Sequence, residues 1–283
     1  MHQTLRIVPC LLTVLALAGC GSPPAAPQVQ LSPEQATTTD ALVVEIGAQE
    51  EGISYDIAWY ADGVEVTELA GETQVPAART SKDEEWRVVA TPRDAKDRFG
   101  DPGEASVVVL NTPATTSVSI EPEKPSTTDD LTANASADDA DDDATTMRYL
   151  WLRDGVETEQ TGATLSSELT EKDQVWTVRV WADDGDLEGE PAEAQVSVDN
   201  AVPVANSVSL APAEAFEGST LTASPDGDDA DMDELTWTYS WFVDDKMLPD
   251  VSDDTLGGAH FDKGQQVRVE ATANDGSVDS NTV

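Results

Sequence analysis

From residue 28 onward the apolar residues of this chain fall at every second position. Trp176, Val178, Val180 and Ala182 alternate with Thr177, Arg179 and Asp183. Ala194, Val196 and Val198 do the same, as do Leu131, Ala133 and Ala135, and Tyr149 shares one face with Trp151. A period of two puts one set of side chains on each face of an extended strand, so these runs predict half-buried β-strands. Asp-Gly pairs at 62–63, 154–155, 184–185 and 275–276 separate the runs, as tight turns require. No stretch carries the 3.6-residue period of an amphipathic helix. About seven short strands in roughly 90 residues predict an antiparallel β-sandwich.

The pattern occurs three times. Trp59, Trp151 and Trp241 are 92 and 90 residues apart, and Pro33, Pro122 and Pro212 are 89 and 90 apart. Lys82, Lys172 and Lys263 are spaced by 90 and 91. Trp86 and Trp176 recur at 90 with Val267 in the third place, and Asn111 and Asn200 each close a unit shortly before a proline. Independent landmarks at one period define repeats at 28–113, 114–203 and 204–283. From Asp275-Gly276 only seven residues remain, whereas 15 separate Asp184-Gly185 from Asn200. The third copy is therefore expected to lack its final strand, the counterpart of 194–199. A truncated or split reading frame is the favoured account. The alternatives are a shortened strand at 281–283 and a strand donated by a partner.

The second copy reads Val-Ser-Ile-x-Pro from Val118, Thr-Thr-Asp-Asp-Leu-Thr from Thr127, an Asp-rich turn and Tyr-x-Trp from Tyr149. Asp-Gly, Thr-Leu-Ser, Lys-Asp-x-Val-Trp-x-Val from Lys172, a second Asp-Gly and Asn200 follow. This order resembles the tandem immunoglobulin-like or PKD-like repeats of bacterial surface proteins, over residues 28–283. The resemblance implies three tandem immunoglobulin-like sandwiches in an all-β protein, with Trp59, Trp151 and Trp241 as the core tryptophans of the C strand. The third copy departs from the pattern, having neither the opening Thr-Thr-Asp nor the second Trp.

Residues 1–19 read as an address. Arg6 is their only charge, and 7–17 is an almost unbroken apolar run. About 11 apolar residues suit an export signal, whereas roughly 20 are needed to span a bilayer. Leu17-Ala18-Gly19-Cys20 resembles the lipobox of bacterial lipoproteins, and a Pro-rich linker completes 20–27. The resemblance implies cleavage before Cys20, a diacylglyceryl group on its thiol and acylation of the new amine. Gly21 is not the aspartate of the inner-membrane retention signal, so an outer-membrane anchor is expected, facing the cell surface or the periplasm. Cys10 leaves with the leader, so no disulfide is available and each copy must rest on its core.

Charge narrows the partners. The chain holds 56 Asp and Glu against 15 Lys and Arg, a net −41, and the three copies carry −11, −17 and −14. Nucleic acid and anionic lipid surfaces are repelled by such a field. One acidic cluster is local: the run at 138–143, with Asp139, Asp141 and Asp143, recurs 90 residues on with Asp229, Asp231 and Asp233. Alternating aspartates gather hard oxygens in one loop, the donor set Ca²⁺ takes, so these six are the candidate Ca²⁺ ligands. No other cofactor is required. Catalysis finds little support, since His260 is the one histidine beyond the leader and there is no cysteine nucleophile, Gly-x-Ser-x-Gly or phosphate loop. Trp181 and Trp237 fall outside the core positions and are candidate sugar-stacking platforms. The expected role is a non-catalytic surface lipoprotein, a spacer or adhesion module for an unknown protein or glycan. The alternative is the N-terminal stalk of a larger protein whose further domain is an enzyme or receptor.

Overall fold

A computed structural model describes residues 22–48 and 50–283. The leader at 1–19 and the lipidation residue Cys20 lie outside the described residues. The chain divides after Thr112 into two compact units, the first holding one sandwich and the second holding two.

Each copy builds seven strands. The first has β1 (Val29–Ser32), β2 (Leu42–Ile46), β3 (Ile53–Ala61), β4 (Val64–Glu65), β5 (Gln74–Val75), β6 (Glu85–Asp94) and β7 (Gly103–Val108). The second has β8 (Thr115–Glu121), β9 (Leu131–Asp138), β10 (Thr146–Arg153), β11 (Val156–Glu157), β12 (Thr164–Leu165), β13 (Val175–Asp183) and β14 (Ala192–Ser197). The third has β15 (Val204–Ala211), β16 (Leu221–Asp228), β17 (Thr236–Val243), β18 (Lys246–Met247), β19 (Thr255–Leu256), β20 (Val267–Asn274) and β21 (Asp279–Thr282). In the second copy a sheet β12-β9-β8 faces a sheet β11-β10-β13-β14, and the same two orders recur in the other copies. That is three strands, A, B and E, against C′, C, F and G, an immunoglobulin-like sandwich.

The inward set of each alternating run makes the core. Trp59, Trp151 and Trp241 are fully buried at the centres of three separate clusters. Each indole N–H would be left unsatisfied there, and each donates at 2.9 Å to a carbonyl of the loop before the E strand: Glu72, Gly162 and Asp253. Trp59 meets Trp86 edge to face at 6.4 Å, and Trp151 meets Trp176 at 6.5 Å. Such a pair adds about 0.5–1.5 kcal/mol beyond its buried area. Val267 holds the third copy's equivalent position, and Phe261, 7% exposed, belongs to the same core cluster.

The C–C′ hairpin turn is equally repetitive. Asp62-Gly63 has φ of 47 and 78°, Asp154-Gly155 has 50 and 79°, and Asp244-Asp245 has 46 and 63°. Two successive positive φ angles define the type I′ turn, which matches strand twist. The first aspartate stays in all three copies because its carboxylate accepts a backbone N–H at the start of the F strand, that of Glu85 or Val175, or of Gln266 just before β20.

The expected loss of the third copy's final strand is corrected. Asp279–Thr282 pairs antiparallel with β20, with Thr272 opposite Thr282 and Asn274 opposite Asp279. This strand is short and polar, so apolar alternation did not reveal it. Side chains hold it instead: Asn281 accepts the Ala205 N–H at 3.0 Å and donates to the Ala205 carbonyl at 2.9 Å. Its position also differs, because β14 runs opposite Val175 to Val180 of β13 whereas β21 lies against the far half of β20. In the first two copies the segment after the A strand also touches the closing segment in parallel, Thr37 with Leu110 and Ser126 with Asp199. No such bridge is present in the third among the described residues.

Candidate functional site

The two aspartate turns join the B and C strands, between β9 and β10 and between β16 and β17. In both, the first aspartate folds the loop around itself. Asp139 Oδ1 accepts the N–H groups of Asp141 at 2.9 Å and Asp143 at 3.0 Å. Asp229 Oδ1 accepts those of Asp231 at 2.8 Å and Asp233 at 3.1 Å. The residue at the apex, Asp142 or Met232, takes a φ of 61°. Aspartate suits this role because its short side chain reaches backbone two residues on. The second oxygen, Oδ2 of Asp139 and of Asp229, is shielded from solvent, and no hydrogen-bond donor reaches it among the described residues.

The two turns then differ. Asp139, Asp141 and Asp143 come together as expected, offering oxygens within 4.8 Å of one another. In the third copy Asp229 and Asp233 are joined by Asp275, not by Asp231. Asp231 faces the second sandwich instead. It accepts a hydrogen bond from the Thr127 hydroxyl and, at 2.7 Å, another from the Ala201 N–H. Both carboxylate sets, with an occluded oxygen in each, have the hard-oxygen chemistry of a divalent cation site.

Groups not expected from the sequence complete the third turn. Lys172 pairs with Asp233 and donates to Asn200 Oδ1 at 3.2 Å. The hydrogen bond to Asp233 raises the Lys172 pKa above its ordinary value against the opposing effect of burial, and the charges of Asp233, Asp231 and Asp173 add to it. Asp275 is buried, accepts the Val278 and Ser277 N–H groups, and receives the Asn200 amide at 2.8 Å. The Val278 N–H, then the Asn200 amide, hold its carboxyl below the usual range. Lys172, Asn200 and Asp275 were visible in the sequence only as landmarks of the repeat and its turns.

The structure separates the two candidate tryptophans. Trp237 lies on the inward face of β17 with Tyr239 and Trp241, and a Cβ on Gly227 would come within 3.0 Å of its ring. Trp181 lies on the outward face of β13, opposite Arg148, with the Arg179 guanidinium 5.9 Å from its ring. Leu150 and Thr161 share with it a shallow cleft of about 380 Å³. A larger groove of about 770 Å³ opens in the third copy beside Leu210, Phe216, Phe261 and Val267, where Val267 is smaller than its tryptophan counterparts.

No protein-family model and no curated protein sequence matches the chain. Solved structures that resemble it include the three N-terminal domains of the bacteriophage RB49 highly immunogenic outer capsid protein. That match has 18% identity and a TM-score of 0.33, covering 91% of this chain and 94% of that one. The FN1–FN3 domains of chicken CNTN1 match at 11% identity and a TM-score of 0.27, covering 93% and 98%. The fibronectin(III)-like modules of Clostridium thermocellum CbhA match at 13% identity and a TM-score of 0.26, covering 61% and 94%.

Proposed function

We propose that this chain is a non-catalytic spacer and binding module at the bacterial cell surface, held to the outer membrane through a lipidated Cys20. What supports the reading is that the interior repeats while the outward faces vary. Val88, Val178 and Val269 occupy one inward position, all buried. Thr91, Trp181 and Thr272 occupy one outward position, and Ala58, Leu150 and Ser240 another. A scaffold that keeps such inward positions, the change from tryptophan to Val267 apart, and varies its exterior presents length and surface. The ligand face is the one carrying Trp181, whose amphipathic ring and flanking guanidiniums suit a glycan.

Two measurements test this. Metabolic palmitate labelling and fractionation should place the wild-type chain in the outer membrane, with Cys20→Ser unlabelled and released; a labelled Cys20→Ser chain refutes the anchor. Glycan-array binding should fall at least about tenfold in Trp181→Ala, the equivalent of roughly 1.4 kcal/mol. An unchanged or absent wild-type signal refutes the glycan face.

A second reading rests on the occluded Oδ2 of Asp139. The turn carrying Asp139, Asp141 and Asp143 binds Ca²⁺ through carboxylate oxygens that lie within 4.8 Å of one another.

A further inference from the structure

At the junction between the second and third sandwiches, groups of one side meet carboxylates of the other. Lys172 and Thr127 belong to the second sandwich, Asn200 and Ala201 to the segment that leaves it, and Asp231, Asp233 and Asp275 to the third. Four contacts cross: Lys172 to Asp233, Thr127 to Asp231, the Ala201 N–H to Asp231, and the Asn200 amide to Asp275; Lys172 also donates to Asn200 within the donor group. Three of the four donors are neutral, and among the described residues Lys172 brings the positive charge to these aspartates, of which Asp233 and Asp275 lie with Asp229 within 4.8 Å of one another.

We propose that Lys172 is the resident cation of this junction, a tethered ammonium that locks the second and third sandwiches together where a bound divalent ion would otherwise be needed.

Carboxylates this close repel one another unless a cation stands among them. Lys172 and Asp233 are only 31% and 27% exposed, so their attraction is less screened than that of a fully solvated surface pair. The lysine is also presented by a fixed loop. Asp173, next in sequence, takes a φ of 69° and donates its N–H to the Val198 carbonyl at 2.9 Å, tying the loop to the end of the second copy's last strand. Asn200 couples the halves of the latch: its Oδ1 accepts from Lys172 while its Nδ2 donates to Asp275. A site with a covalently attached cation keeps its geometry whether or not metal is available. This inference concerns the third copy's turn only and stands apart from both the surface role and Ca²⁺ binding at Asp139.

Hydrogen exchange of the full chain, read by mass spectrometry, tests it. Peptides covering 199–204 and 229–234 should exchange equally slowly in EDTA and in millimolar Ca²⁺. Lys172→Met, uncharged and of similar length, should speed both at least about tenfold, an opening free energy lower by roughly 1.4 kcal/mol, with the core peptide 176–182 unchanged. Asp233→Asn, which removes the partner from the opposite sandwich, should give the same opening, and Lys172→Arg should retain protection. If EDTA alone opens the wild-type junction, a metal and not Lys172 is the cation. If Lys172→Met and Asp233→Asn both exchange like wild type, there is no latch.

Discussion

Much of the acidity of this chain is spent one residue at a time on holding backbone. Asp40 and Asp129 each accept a main-chain N–H and a hydroxyl from the residue three positions earlier, Thr37 or Ser126, and Ser219 accepts the Phe216 N–H at the third copy's equivalent place. Asp62, Asp154 and Asp244 brace hairpins, and Asp139 and Asp229 wind turns. The Ser126 hydroxyl first, and its N–H second, hold the Asp129 carboxyl below its ordinary value of 3.8. A carboxyl depressed in the folded state contributes its stability above the unfolded value and loses it as pH falls through the folded one. Ser126→Ala should therefore cost roughly 0.5–1 kcal/mol near neutral pH. That deficit should shrink as urea denaturation is repeated at progressively lower pH below 3.8; a deficit independent of pH would rule out the carboxyl as its source.

At the scale of elements, the three hairpins make a controlled comparison. Glycine takes the second left-handed position in two copies, and Asp245 takes it in the third with a φ of 63°. A left-handed conformation costs a residue with a Cβ about 1–2 kcal/mol, and glycine gives part of that back in chain entropy. Asp245→Gly should stabilise the third sandwich by roughly 0.5–1 kcal/mol in thermal denaturation, whereas Gly155→Asp should weaken the second by a similar amount. Strands were legible in the sequence wherever one face is apolar, because the period of two then marks them. They were not legible where side-chain hydrogen bonds replace burial, as at β21 with Asn281. The aspartate turns were legible as clusters but not as partners. Thr127 lies 104 residues from Asp231 and Asn200 lies 75 from Asp275, distances at which local pattern carries no signal. Asp231 belonged by spacing to the same set as Asp229 and Asp233, and its contacts with Thr127 and Ala201 could not be read from that spacing.

For the whole molecule, the net −41 resolves into braces, two turns and a solvated surface. It also sets a condition on metal. If the second copy's turn binds Ca²⁺, as proposed, with an affinity in the ~10⁻⁴–10⁻³ M range known for extracellular modules, the ion would stabilise the folded chain by mass action. Scanning calorimetry in Ca²⁺ should raise the melting temperature relative to EDTA, and Asp139→Asn should abolish the rise. A melting temperature indifferent to Ca²⁺ would refute this site.

The parallel bridges carry a mechanical meaning. Where the opening and closing segments of a sandwich run in the same direction, tension applied at its two ends tries to slide them past each other, and their hydrogen bonds resist together. The first two copies have that clamp at Thr37–Leu110 and Ser126–Asp199, backed by the Leu110 and Asp199 N–H groups on the Ala36 and Pro125 carbonyls. Among the described residues, the hydrogen bonds between the third copy's first and last strands run through the side chain of Asn281. A chain pulled from its two ends would lengthen first in the third copy, leaving the first two sandwiches intact.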